Sequence, residues 1–146
     1  MHKGQRFFTT VLRHVNGLAI AATLLLGAVM MPAADNNRFF EMRIYTSHPG
    51  KLADLNTRFR DHTNRLFVKH GMTLIGYWTP TEGPEAENTL IYILAYPSRE
   101  ARDASWKAFR ADPEWIKAST ESEKNGKIVE KVESKFMTPT DYSPIK

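Results

Sequence analysis

The sequence predicts an α+β domain in the order strand, helix, strand, strand, helix, strand. Three observations predict it. Residues 38–46, "RFFEMRIYT", alternate in the two-residue period of a half-buried strand. Residues 51–71 and 98–111 instead space their apolar side chains three and four apart, the period of a helix with one buried face. "FRADPEW" (109–115) then breaks a helical pattern at Asp112-Pro113. Proline cannot continue a helix interior, but it suits the first position of a new helix with an aspartate as N-cap. One helix therefore stops near Ala111 and another starts at Pro113.

The elements follow in order. In the first strand Phe40, Met42 and Ile44 share one face, and Glu41, Arg43 and Tyr45 the other. "SHPGK" (47–51) is a turn. In the helix over 51–71, Leu52, Leu55, Phe59, Leu66 and Phe67 form the apolar stripe, and Gly71 ends it. His62 lies within that stripe, three after Phe59 and four before Leu66, so its ring is expected to face the sheet. "MTLIGYWTP" (72–80) is a second strand, and "TEGPEAEN" (81–88) is an acidic loop. "TLIYILAYP" (89–97) is apolar on both faces, which predicts a central strand covered on both sides. Tyr92, Leu94 and Tyr96 share one of its faces. The helix over 98–111 has Ser98 as N-cap and a stripe of Ala101, Ala104 and Ala108. That stripe puts Trp106 at an edge, where it is a candidate pocket or partner contact. In the short helix over 112–126, Trp115 reads as a plug packed on the sheet. A fourth strand over 127–139 and a tail over 140–146 complete the chain.

This order is the ferredoxin-like β-α-β-β-α-β arrangement, an antiparallel four-stranded sheet with helices on one face. The uncovered face is then expected to present Tyr45, Tyr77, Tyr92, Leu94 and Tyr96. An aromatic patch of that size marks an interface or a ligand cleft. Two sheets packed face to face across a two-fold axis would cover it, which predicts a homodimer.

Charge divides the chain in two. Residues 1–34 hold Lys3, Arg6 and Arg13, no acidic residue, and an uncharged run of 21 residues from His14 to Ala34. This reads as a signal peptide, or as an N-terminal membrane anchor if it is retained. Membrane contact is expected only through residues 14–34, with the 35–146 domain periplasmic, secreted or held outside the cytoplasmic membrane. From Asp35 onward 17 basic residues face 16 acidic ones, so the domain is near neutral and lacks the basic footprint of a nucleic-acid binder. The absence of cysteine excludes disulfides, thiolate catalysis and Cys-ligated zinc.

No G-x-S-x-G, G-x-x-x-x-G-K-[ST] or H-E-x-x-H motif is present. His62 and His70 are eight apart, too far for a helical metal pair, and no metal or cofactor is expected. His62 is the best catalytic candidate, as a proton shuttle or ligand anchor in a cleft between helix and sheet; its structural reading is a seam histidine bonded to a backbone carbonyl, Glu41 or Tyr77. Glu41, Arg43 and Tyr45 put a carboxylate, a guanidinium and a phenol on one strand face. They suit a polar ligand, an ion pair with the fourth strand near Lys131 and Glu133, or an intersubunit contact. Tyr77, Tyr92 and Tyr96 suit an aromatic pocket or interface packing.

The stretches "EMRIYTSHPGKL", "RFRDHTNRLFVKHGM", "IGYW", "LIYILAYPSREARDASWKAFRADPEW" and "VESKFMTPTDYSP" together resemble the NIPSNAP family, from about Phe39 to Pro144. The resemblance implies a dimeric α+β barrel. It names no reaction, because most members have none established. One departure is Leu74, where the family resemblance implies a polar residue, often Asn; a pocket lined there would hold a different ligand or none. The first functional expectation is a dimeric barrel that binds a small, partly apolar molecule. The alternatives are a non-enzymatic interaction or sensing module, and a cofactor-independent oxygenase or isomerase.

Overall fold

The computed structural model describes residues 38–146, and the expectations for residues 1–34 lie outside that range. The strands are β1 (Phe39–Ser47), β2 (Thr73–Trp78), β3 (Thr89–Tyr96) and β4 (Val129–Met137). They form one antiparallel sheet in the order β2-β3-β1-β4, so β3 and β1 are interior. The helices are α1 (Leu52–Arg58), α2 (Asn64–Lys69), α3 (Arg99–Ala111) and α4 (Pro113–Ser122). No helix among the described residues is long and apolar enough to cross a membrane.

Both helix starts on the C-terminal side form as expected. The Ser98 hydroxyl accepts from the Ala101 N–H at 3.1 Å, and the Asp112 carboxylate accepts from the Glu114 N–H at 2.8 Å. Asp112 also receives His70 Nε2 at 2.7 Å and Lys69 Nζ at 2.8 Å, which ties α2 to the α3–α4 corner. These hydrogen bonds, from Lys69 first, hold its carboxyl well below the usual range.

The helix expected over 51–71 is interrupted. Phe59–Thr63 is a single wide π-type turn between α1 and α2. The Asn64 N–H bonds to the Phe59 carbonyl five residues back, and the Thr63 hydroxyl donates to the Arg58 carbonyl at 3.1 Å. The extra residue in that turn keeps Leu55, Phe59, Thr63 and Phe67, each four apart, on the buried side. It also rotates His62 outward: His62 is exposed, and the expectation that its ring faces the sheet is wrong.

The two sheet faces are also the reverse of the expectation. Register pairs Glu41 with Leu94, Arg43 with Tyr92, and Tyr92 with Tyr77, and this mixed, aromatic face lies under the helices. Tyr92, Leu94 and Tyr96 are fully buried there, in one core with Leu55, Phe67, Trp106 and Phe109. The uncovered face is aliphatic, with Met42, Ile44, Ile91 and Ile93 only partly buried. Polar hydroxyls and a guanidinium do not disqualify a face from the core when each finds a partner within it.

Two smaller corrections follow from α3 and α4. Ala104 and Ala108 face solvent, and Trp106 is a buried core residue at 4% exposure rather than an edge residue. Trp115 packs on Phe109, ring centroids 4.5 Å apart, and is half-buried at the helix layer rather than plugged onto the sheet.

Candidate functional site

Glu41 is the centre of the buried polar network. Its position on β1 points its side chain into the sheet–helix interface, where it is 0% exposed. A carboxylate without water there needs partners, and it has four. Arg43 Nη1 donates to it at 2.8 Å. Arg102 donates from Nη2 at 2.6 Å and from Nε at 2.9 Å. Trp106 Nε1 donates at 3.0 Å and the Tyr96 hydroxyl at 3.2 Å. Burial by itself would raise the carboxyl's pKa, but the Arg102 and Arg43 hydrogen bonds outweigh it and bring it down to about 2. Glu41 is therefore an anion at any physiological pH.

Arg43 extends the network across the sheet. Its Nε donates to the Tyr92 hydroxyl at 3.0 Å, Nη2 to the Tyr45 hydroxyl at 3.3 Å, and Nη1 to Ser134 Oγ on β4 at 3.0 Å. Its guanidinium lies over the Trp106 ring, 4.4 Å from the centroid. Burial raises the phenols of Tyr92 and Tyr96, and that of Tyr77, well above the usual range.

Beside this network a cavity of about 200 Å³ opens between the helices and the sheet. Phe59 and Thr63 of the π-type turn, Tyr45, Trp106, Phe109 and Trp115 wall it. Arg43, Arg58 and Arg110 also line it. Arg58 is nearly buried at 5% exposure; its Nη1 donates to Glu123 at 3.0 Å, while its Nε is buried without a partner. Rigid aromatic walls with a few fixed polar groups are the usual make-up of a small-molecule site.

Of the residues singled out from the sequence, Glu41, Arg43, Tyr45, Tyr92 and Tyr96 come together in this network. Tyr77 stacks on Tyr92 with centroids 5.6 Å apart, but its hydroxyl is buried with no partner and it does not line the cavity. His62 belongs to neither; it is exposed and lines a separate surface groove with Asp54 and Thr57, away from Glu41 and Tyr77. Lys131 and Glu133 pair with each other at 2.7 Å, so neither is the partner of Glu41. Leu74 packs against the core and lies outside the cavity lining.

Sequence reasoning missed Arg58, Thr63, Arg102 and Arg110. The signal for two of them was present: Arg102, Trp106 and Arg110 are spaced four apart and share one side of α3. Arg58 and Thr63 carried no such signal, because their placement depends on the π-type turn. Among the described residues no cluster of three His, Asp or Glu side chains is arranged to hold a metal ion.

The NIPSNAP family model matches residues 40–144. The chain belongs to the NIPSNAP family. The matched span contains the whole network from Glu41 to Ser134 and every residue lining the cavity. Among solved structures, a NIPSNAP family protein from Agrobacterium tumefaciens is 25% identical with a TM-score of 0.66, over 77% of this chain and 96% of that one. A NIPSNAP-like domain protein from Burkholderia xenovorans is 22% identical with a TM-score of 0.64, over 73% and 89%. A Streptomyces coelicolor monooxygenase in complex with nanaomycin D shares the fold alone, at 14% identity and a TM-score of 0.53 over 74% and 92%. Comparison with curated proteins gives no match. For a NIPSNAP domain these likenesses establish the fold, a ferredoxin-like α+β sandwich, and assign no reaction.

Proposed function

We propose that this NIPSNAP domain is a binding protein for a small, partly apolar molecule, held in the cavity between the helices and the sheet. The observation that carries this reading is the cavity wall. Phe59, Trp106, Phe109 and Trp115 present aromatic surface around it, and the Glu41–Arg43 network behind it is fixed by hydrogen bonds on β1, β3, β4 and α3. Stiff, pre-formed walls lower the ordering cost of binding.

The groups near the cavity favour binding over proton transfer. Glu41 is held as an anion at about 2, and the phenols of Tyr92 and Tyr96 are pushed upward. A general acid or base works best with a pKa near the operating pH. The oxygenase or isomerase alternative therefore lacks a poised group in this site.

The domain acts as a homodimer in this proposal, with two copies packed through their uncovered sheet faces. The support is the aliphatic surface of Met42, Ile44, Ile91 and Ile93, which helices do not cover. Residues 1–34 direct export, on the charge pattern of Lys3, Arg6, Arg13 and the uncharged run that follows.

Native mass spectrometry of the protein purified from its own host tests the binding reading. The expected result is a second species heavier than the polypeptide by one small organic molecule. Only the bare polypeptide mass, from folded protein, would count against it.

A further inference from the structure

We infer that the molecule held in this cavity carries an oxyanion, a carboxylate or a phosphate, on a flat aromatic body. This deepens the binding reading above and rests on it. The charge of the lining is the first ground. Three guanidinium groups, of Arg43, Arg58 and Arg110, line the cavity, and no carboxylate does. Around it Glu41 serves Arg43 and Arg102, Asp103 serves Arg102, and Glu123 serves Arg58, three carboxylates for the four arginines 43, 58, 102 and 110. Arg110 is exposed and has no carboxylate partner among the described residues. The site therefore holds more positive charge than its own acids balance, as an anion site requires.

The second ground is an unmet donor. Arg58 is 5% exposed, and its Nη1 is engaged by Glu123 at 3.0 Å and Ser122 at 3.4 Å. Its Nε is buried and bonds to nothing. Buried donors are normally satisfied, and a planar guanidinium matches the two oxygens of a carboxylate or phosphate. A ligand oxyanion at the Arg58 edge of the cavity supplies the acceptor that the fold omits.

The third ground is shape. The Arg110 guanidinium lies 6.0 Å from the Trp106 ring centroid, and that of Arg58 lies 5.5 Å from the Trp115 centroid. Guanidinium planes thus lie over indole rings, and these planar cationic and aromatic surfaces in the wall suit a flat, negatively charged ring. The cavity volume of about 200 Å³ is below the range of about 300–1,000 Å³ that drug-sized ligands fill. One ring or two fused rings fit that space better than a larger molecule.

The test is a tryptophan-fluorescence titration of the full chain with naphthoate, naphthyl phosphate and the neutral naphthamide. Trp106 and Trp115 wall the cavity and Trp78 does not, so occupancy changes the emission. At least one anion is expected to bind about tenfold or more tighter than naphthamide. The tighter of the two names the oxyanion. Arg110→Gln is expected to cut the anion's advantage over naphthamide several-fold. Naphthamide binding as tightly as both anions would overturn the charge inference and leave the binding reading intact. No response to any of the three would overturn both. An anion advantage unchanged in Arg110→Gln and in a folded Arg58→Gln would also overturn the inference.

Discussion

Glu41 on β1 and Trp106 on α3 meet across the sheet–helix interface, with the indole Nε1 donating to the carboxylate at 3.0 Å. Arg102, one turn earlier on α3, donates to the same carboxylate at 2.6 and 2.9 Å. One strand residue thus fixes the helix that supplies a wall of the cavity. Both sides of this contact are nearly dry, Glu41 at 0% and Trp106 at 4% exposure.

Glu41→Gln is expected to destabilise the domain substantially. The substitution keeps the shape but leaves Arg43 and Arg102 without their shared counter-charge. Removing one member of a buried ion pair costs about 3–5 kcal/mol. Urea denaturation of the full chain and the variant measures it, and an unchanged midpoint would contradict the account of Glu41 as the hub.

Acid should act through the same residue. The folded pKa of Glu41 is about 2 against 4.5 for an unperturbed glutamate. A lowered folded pKa gives stabilisation that is fully present above the unfolded value and is lost as pH falls through the folded one. Stability should therefore decline between about pH 5 and pH 2, by on the order of 3 kcal/mol from this group. In Glu41→Gln that part of the slope should vanish. Equal acid dependence in both proteins would assign it to other carboxylates.

His62 and Thr63 offer a paired test of the π-type turn. Thr63 is buried and its hydroxyl donates to the Arg58 carbonyl, whereas His62 is exposed. Thr63→Val should cost about 1 kcal/mol through the lost buried hydroxyl-to-carbonyl hydrogen bond. His62→Ala should change stability by no more than about 0.5 kcal/mol. The reverse order in thermal unfolding would mean that the helix runs through residues 59–63 without the extra residue.

The proposed dimer depends on the aliphatic sheet face. Sedimentation of the full chain at micromolar concentration should give a dimer, and Ile93→Glu should shift it toward monomer, because an unpaired charge in an apolar interface is costly. Tyr92→Glu is expected to unfold the chain instead, since Tyr92 is fully buried in the core. A monomeric parent chain would end the dimer proposal.

The element order, the Asp112-Pro113 corner and the Ser98 cap were legible in the sequence because each rests on local chemistry. Proline lacks an N–H, and Ser or Asp caps act within three residues. So were the members of the network on β1, since Glu41, Arg43 and Tyr45 must share a face. Which face the helices cover was not legible. Phe40, Met42 and Ile44 look like the buried side by hydrophobicity alone, and only the partners offered by Arg102, Trp106, Tyr92 and Ser134 make the mixed side buriable. His62 was misplaced for a related reason. A single π-type turn shifts helical phase for everything after it, and no residue in "FRDHT" announces one.

The central claim is that the cavity beside Trp106 and Trp115 is the binding site, and indole N–H signals test it most directly. The chain has three tryptophans, and Trp78 lies outside the cavity lining. Heteronuclear NMR during titration with naphthoate and, separately, naphthamide follows each indole on its own. The account predicts saturable shifts of the Trp106 and Trp115 signals with at least one of the two ligands, and a Trp78 signal that stays in place. Movement of Trp78 alone, or of none of the three, would contradict it.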